Sequence, residues 1–159
     1  MLKVLFVCLG NICRSPLAEG IFKQKVRESK LTDKIYVESA GTSGWHIGDS
    51  PDPRSIEVAE KNGIYLDSFG RKAISKDFAE FDYILAMDTN NYADLRRLPG
   101  SSKSGAAQLF LMRDFDDIGK GKDVPDPYYG GDDGFSYVFE LLDISCQNLL
   151  EKIKKDHQL

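Results

Sequence analysis

The stretch that most constrains this chain lies at its start. Leu2-Lys3-Val4-Leu5-Phe6-Val7 is apolar except for Lys3, the pattern of a strand buried on both faces. A helical pattern begins at Pro16. Between them Cys8-Leu9-Gly10-Asn11-Ile12-Cys13-Arg14-Ser15 joins a strand end to a helix start. Pro16 suits a first helical position because its missing N–H would have had no partner there, and Ser15 is placed to cap it. Gly10 and Asn11 tolerate left-handed backbone, so successive N–H groups of the loop can converge into an anion nest. The nest, the positive end of the helix dipole and the Arg14 guanidinium would all draw a negatively charged group to the loop and favour the thiolate form of Cys8. The spacing thus predicts a nucleophile held beside a bound oxyanion.

The remaining pattern alternates strand and helix. A helical face runs from Pro16 to about Ser29, with Leu17, Ile21, Phe22 and Val26 on it, and Lys34 to Glu38 reads as a strand. Gly41 to Asp52 is a loop rich in small polar residues that carries Trp45. Asp52 and Pro53 then start a helix that stops at Asn62-Gly63. After a connection from Ile64 to Asp77, Tyr83 to Met87 reads as a third strand, Thr89 to Leu98 as a short helix and Ala107 to Met112 as a fourth strand. Arg113 to Gly134 is a long loop of the kind that usually carries function. Phe135, Val138, Phe139, Leu142, Cys146, Leu149, Leu150 and Ile153 form the apolar stripe of a terminal helix. This order implies an α/β domain with a parallel sheet, helices on both faces and a ligand crevice beyond the carboxyl ends of the strands, where the Cys8 loop lies.

Composition narrows the function. At 159 residues, with 42% hydrophobic and 29% charged side chains, the chain is sized for one domain with a core of its own. A net charge of −4 gives no nucleic-acid footprint, and no apolar run approaches the ~18 residues of a membrane span. The start of the chain runs directly into the Cys8 loop, which a cleaved signal peptide would remove, so the expectation is a cytoplasmic protein. Three cysteines make no disulfide framework and suit a reducing compartment. A metal centre is not expected either, since only Cys146, His46 and His157 would accompany the two loop cysteines as soft ligands, and Cys146 belongs to the apolar stripe.

Val7-Cys8-Leu9-Gly10-Asn11-Ile12-Cys13-Arg14-Ser15-Pro16 resembles the phosphate loop of the low-molecular-weight protein tyrosine phosphatases, and Asp126-Pro127-Tyr128-Tyr129 resembles that family's general-acid loop. Residues 39–43, Trp45, 50–54 and 81–88 also fit, in the family's order, so the likeness covers nearly the whole chain. It implies one domain over residues 1–159, a three-layer sandwich with a four-stranded parallel sheet, and a monomer that hydrolyses phosphotyrosine in proteins without a cofactor. Inorganic phosphate and other oxyanions would then compete for the loop, formed by Leu9, Gly10, Asn11, Ile12, Cys13 and Arg14.

The residues themselves suit those roles. Cys8 would attack phosphorus while Arg14 makes two parallel hydrogen bonds to the equatorial oxygens, doing what Mg²⁺ does in kinases. Asp126, on the long loop and stiffened by the following proline, would protonate the leaving oxygen and then deprotonate the attacking water, worth about 10² to 10⁴ in rate. Ser15 can donate to the Cys8 sulfur and ease its departure in the second step. Trp45, Tyr128 and Tyr129 would wall a slot for a flat ring, with His46 and Asp49 beside Trp45 tuning preference. The resemblance further suggests a reversible disulfide between Cys13 and Cys8. One departure stands out: where relatives often carry a His that helps hold the phosphate-loop Asn, this chain has Ile64 to Lys72 without one, and Ser39 or Ser68 must support Asn11 instead.

Two other activities fit parts of this pattern. A thioredoxin-coupled arsenate reductase also uses a Cys, five residues and Arg, but it needs two further cysteines on a mid-chain segment, and residues 64–100 contain none. A catalytically silent phosphate-binding module would keep Arg14 and the nest but have no use for Asp126.

Overall fold

The β1 strand (Leu2–Cys8) forms the axis of the molecule because both of its faces find apolar partners. The computed structural model describes residues 1–159, the side chain of Asp132 excepted. After β1 come α1 (Arg14–Glu28), β2 (Ile35–Gly41), α2 (Pro53–Lys61), α3 (Asp77–Glu80), β3 (Tyr83–Ala86), α4 (Thr89–Arg96), β4 (Gln108–Leu111), a 3-10 turn (Met112–Phe115) and α5 (Asp132–His157). The strands pair in the order β2-β1-β3-β4, all parallel, as expected for a four-stranded α/β sandwich. Along β1 the side chains alternate: Val4 and Phe6 pack with residues of α1, α2 and α5, while Leu5 and Val7 pack with Phe78 of α3 and Leu95 of α4. On the first face Phe6 meets Phe22 edge-on at 5.5 Å, and the α5 stripe from Phe135 to Ile153 closes the layer. The chain passes from β1 to β2 on one side and later to β3 on the other. The carboxyl end of β1 is therefore a switch point, where a parallel sheet opens a crevice.

Local signals set several boundaries. Asp52 accepts a hydrogen bond from Arg54 N at 2.8 Å with Pro53 at the first turn of α2, and Gly63 leaves that helix at φ 74°. Other boundaries depend on distant contacts. The β2 strand continues past Glu38 to Gly41 because Ser39, Ala40 and Gly41 pair with Phe6, Val7 and Cys8. The connection after α2 supplies Lys72 as an isolated parallel bridge to Gly41. Ser15 is not the cap of α1. Asn11 turns the chain at φ 58°, so the helix begins at Arg14 and Ser15 falls inside its first turn, with its hydroxyl pointing back into the loop rather than capping N–H groups.

Candidate active site

Cys8 ends β1 and is only 2% exposed. Its sulfur lies 3.3 Å from Asn11 N and 3.1 Å from Ser15 Oγ, so the loop folds around that atom. A side chain at position 41 would put its Cβ 2.8 Å from Leu9 O and 3.1 Å from Asn11 N, so Gly41 lets the end of β2 close against the loop.

A buried network fixes the direction of the hydrogen bonds behind Cys8. Arg71 N donates to Asn11 Oδ1 at 3.0 Å, which turns Asn11 Nδ2 toward Ser15 Oγ at 2.8 Å and Ser39 Oγ at 3.0 Å. Ser39 in turn donates to Glu19 Oε1. Both Asn11 amide protons and the Ser39 proton are thereby committed, and Ser15 keeps its single proton for the Cys8 sulfur or for Ala40 O at 3.3 Å. Of the two candidates to support Asn11, Ser39 does so, and the backbone of Arg71 supplies the second contact.

Arg14 is buried to 2% exposure, a position in which a guanidinium must be paired. Its Nη1 bonds Asp88 Oδ2 at 2.7 Å and donates to Val124 O at 2.9 Å, while Nη2 lies 3.6 Å from Asp126 Oδ2. Burial, the largest single influence, would lower the Arg14 pKa. Cys8, Asp88 and Asp126 together outweigh it and hold the group above its ordinary value, so it stays charged. Asp88 is doubly used, because its other oxygen caps α4 by accepting from Asn91 N at 2.7 Å.

Cys8 and Arg14 border a cavity of about 240 Å³, with Leu9, Gly10, Ile12 and Cys13 completing the loop side. Trp45, His46, Asp126, Tyr128 and Tyr129 line the rest of it. Asn11 and Ser15 lie behind the cavity, and Asp49 reaches it only through its 3.0 Å contact with His46 Nδ1. Tyr128 and Tyr129 meet edge-on at 4.9 Å, with Tyr129 92% exposed at the mouth. Asp126 Oδ1 accepts from Tyr128 N at 3.0 Å, which directs the carboxyl group inward. Burial, followed by Asp52, Cys8 and Asp126, pushes the Cys13 thiol up to about 12, so it remains a thiol near neutrality. All three cysteines are free. Among the described residues no group of three or more His, Cys, Asp or Glu side chains is arranged to hold a metal ion.

Residues 3–159 match the model of a family described as low molecular weight phosphotyrosine protein phosphatase. The chain belongs to that family. A relative from Schizosaccharomyces pombe with that same description is 44% identical over 154 residues, covering 96% of this chain and 97% of its own. A crystal structure of a protein tyrosine phosphatase from Entamoeba histolytica superposes with a TM-score of 0.91 at 44% identity, covering 99% of each chain. A structure described as a Drosophila arginine phosphatase superposes with a TM-score of 0.88 at 33% identity, over 96% of this chain and 98% of the other.

Within this phosphatase fold, two site residues had no role assigned from the sequence. Asp88 and Arg54 both lie in segments that carry the family resemblance, yet nothing local says that Asp88 reaches Arg14. Nor does it show that Arg54, clamped by Asp52 at 3.0 Å, donates to Tyr128 O at 3.1 Å and lies over the Tyr128 ring at 5.5 Å. Arg54 thus anchors the Asp126 loop from α2.

Proposed function

We propose that this chain hydrolyses phosphotyrosine in proteins, and small aryl phosphates, through a phospho-Cys8 intermediate without a metal. Its family makes it a phosphoric monoester hydrolase. The observation that carries the mechanism is the convergence of the Cys8 sulfur, the Arg14 guanidinium and the Asp126 carboxyl group on one cavity walled by aromatic rings. In the first step the Cys8 sulfur attacks phosphorus, the bond to the aryl oxygen breaks, and Asp126 gives that oxygen its proton. In the second, water attacks the phosphocysteine, Asp126 takes a proton from it, and the S–P bond breaks to return the thiolate, eased by the Ser15 hydroxyl. The loop N–H groups of residues 9–14 and the Nε and Nη2 edge of Arg14 hold the equatorial oxygens throughout.

The aromatic walls supported by Tyr128, Tyr129 and Trp45 fit a planar ring, and the His46–Asp49 pair at the rim tunes preference. An arsenate reductase of this kind needs two relay cysteines, and the one cysteine outside the loop, Cys146, is fully buried under α1. A silent binding module leaves the inward carboxyl group of Asp126 without a purpose. A reversible disulfide between Cys8 and Cys13, formed when a peroxide takes two electrons from the two thiols and reopened by a thiol reductant, would protect the first from over-oxidation. We place the protein in the cytoplasm, since its three free cysteines suit a reducing compartment, and infer that it acts as a monomer, since the cavity is lined by one chain. Among the described residues no helix is long and apolar enough to cross a membrane.

The direct test is hydrolysis of a phosphotyrosine peptide with a chelator present. Turnover unchanged by the chelator is expected, and inorganic phosphate should inhibit competitively; abolition by the chelator would overturn the metal-free reading. Asp126→Ala should slow phosphotyrosine by about 10²-fold, because a phenolate leaving group with a pKa near 10 needs a proton. An aryl phosphate with an acidic phenol should lose far less. Equal losses on both substrates would remove Asp126 from the general-acid role, as would the same dependence in Asp123→Ala, whose carboxyl group instead accepts from Thr89 N at 2.9 Å.

A further inference from the structure

Arg113, on the 3-10 turn after β4, is a charged side chain 8% exposed and outside the cavity, with no part in the chemistry above. We propose that Arg113 is a positioning residue that sets where Asp126 stands, by clamping the chain between β4 and Asp126 against the phosphate-binding side of the fold. The proposal rests on the reading of Asp126 as general acid.

The clamp has two arms. Arg113 Nε and Nη2 each lie 3.0 Å from Asp116 Oδ2, while Nη1 donates to Asp123 O at 3.1 Å. Burial, the strongest influence on Asp116, would raise its pKa, but N–H groups of Ile118 and Gly119 and the guanidinium outweigh it, so Asp116 meets the guanidinium as a carboxylate. The turn itself is fixed, since Asn148 of α5 donates to Phe115 O at 2.7 Å and the Phe115 ring meets Phe110 edge-on at 5.3 Å.

The held end leads directly to the site. Next to Asp123 O is Val124, fully buried, whose N donates to Met87 O at 2.8 Å and whose O accepts from Arg14 Nη1 at 2.9 Å. Asp123 Oδ1 accepts from Thr89 N at 2.9 Å. Residues 123 and 124, just before Asp126, are thus tied at once to Met87 beyond β3, to α4, to Arg14 and to Arg113, and the guanidinium of Arg113 is the tie that reaches across from the β4 side. A carboxyl group displaced by ~1 Å loses up to about 10²-fold in rate when it must meet a leaving oxygen.

Gly119 offers an independent handle on this contact. A Cβ there would overlap Arg113 Nη2 and Cζ and stand 2.8 Å from Nε. The three atoms nearest to that Cβ all belong to the guanidinium, and the glycine is not among those at positive φ. Gly119→Ala therefore acts on the clamp without creating backbone strain of its own.

The experiment measures kcat/KM for a phosphotyrosine peptide and for 4-nitrophenyl phosphate, with Ki for inorganic phosphate, in Asp126→Ala, Arg113→Met, Gly119→Ala and the Arg113→Met/Gly119→Ala double variant. Arg113→Met should lose about tenfold on phosphotyrosine and less than about twofold on the acidic phenol, with Ki for phosphate changed less than about threefold. Gly119→Ala should shift the same ratio in the same direction and add nothing in the Arg113→Met background. Equal losses on both substrates, or a Gly119→Ala effect that persists without Arg113, would overturn the clamp. Should Arg113→Met fail to fold, Gly119→Ala decides alone: a selective loss on phosphotyrosine supports the proposal and its absence ends it. A selective Asp126→Ala with unselective Arg113→Met and Gly119→Ala sinks only this proposal, whereas an unselective Asp126→Ala sinks the general-acid reading and the clamp with it.

Discussion

Cys8→Ser is expected to lower kcat on a phosphotyrosine peptide by roughly 10⁵-fold while inorganic phosphate still binds. The serine oxygen is smaller than the sulfur and sits on a shorter bond, but it points into the same space between Asn11 N and Ser15 Oγ, which now lie 3.3 and 3.1 Å from the sulfur. What changes is nucleophilicity. Sulfur is intrinsically the stronger nucleophile, and a hydroxyl in its place has no general base within the network, because Ser15 is itself turned to donate and Asn11 presents only N–H groups to it. The proposed anion site rests on elements the substitution leaves alone, namely the loop backbone and Arg14. A phosphate Kd within about threefold of the original, by calorimetry, therefore accompanies the loss. Turnover within about tenfold of the unsubstituted chain would exclude a phospho-Cys8 intermediate.

Much of this site could be read from the sequence because it is local. The strand, loop and helix around Cys8 lie within Leu2–Glu28, and each signal used for them spans a few residues. The same local logic misplaced Ser15. A serine before a proline is the pattern of a cap, but Asn11, Ser39 and Glu19 set its surroundings, and Ser39 is brought in by the β1–β2 pairing. The extension of β2 to Gly41 was missed for a related reason: Ser39, Ala40 and Gly41 have little strand propensity and are held by the register with Phe6, Val7 and Cys8. Asp88 illustrates the limit best. Its capping bond to Asn91 is three residues long and legible, whereas its bond to Arg14 crosses from the start of α4 to α1 and has no trace in either segment. Arg113 falls in the same class, a charged residue in a loop whose partners only the folded chain assembles.

Arg14→Lys should cost about 10³-fold in kcat/KM on phosphotyrosine, despite keeping the charge. The guanidinium does two things at once. Its Nη1 satisfies Asp88 Oδ2 at 2.7 Å and Val124 O at 2.9 Å, and its remaining edge faces the cavity beside Asp126. A lysine ammonium is a single point with three protons and cannot reach both sides of that partition. Drawn to Asp88 it leaves the oxyanion without its two parallel donors; extended into the cavity it leaves Asp88 Oδ2 and the buried Val124 carbonyl without their donor, which costs on the order of 1–3 kcal/mol for the buried carbonyl. Either way the loss falls mainly on the transition state, where charge spreads over the equatorial oxygens, so kcat should fall more than KM rises. Asp88 and Val124 also tie Arg14 to the segment leading to Asp126, and the lysine should therefore steepen the dependence on leaving group as well as lower the rate. A loss below about tenfold, with kcat unchanged and only KM raised, would mean that Arg14 anchors the ground state alone and that the loop N–H groups stabilise the transition state without it.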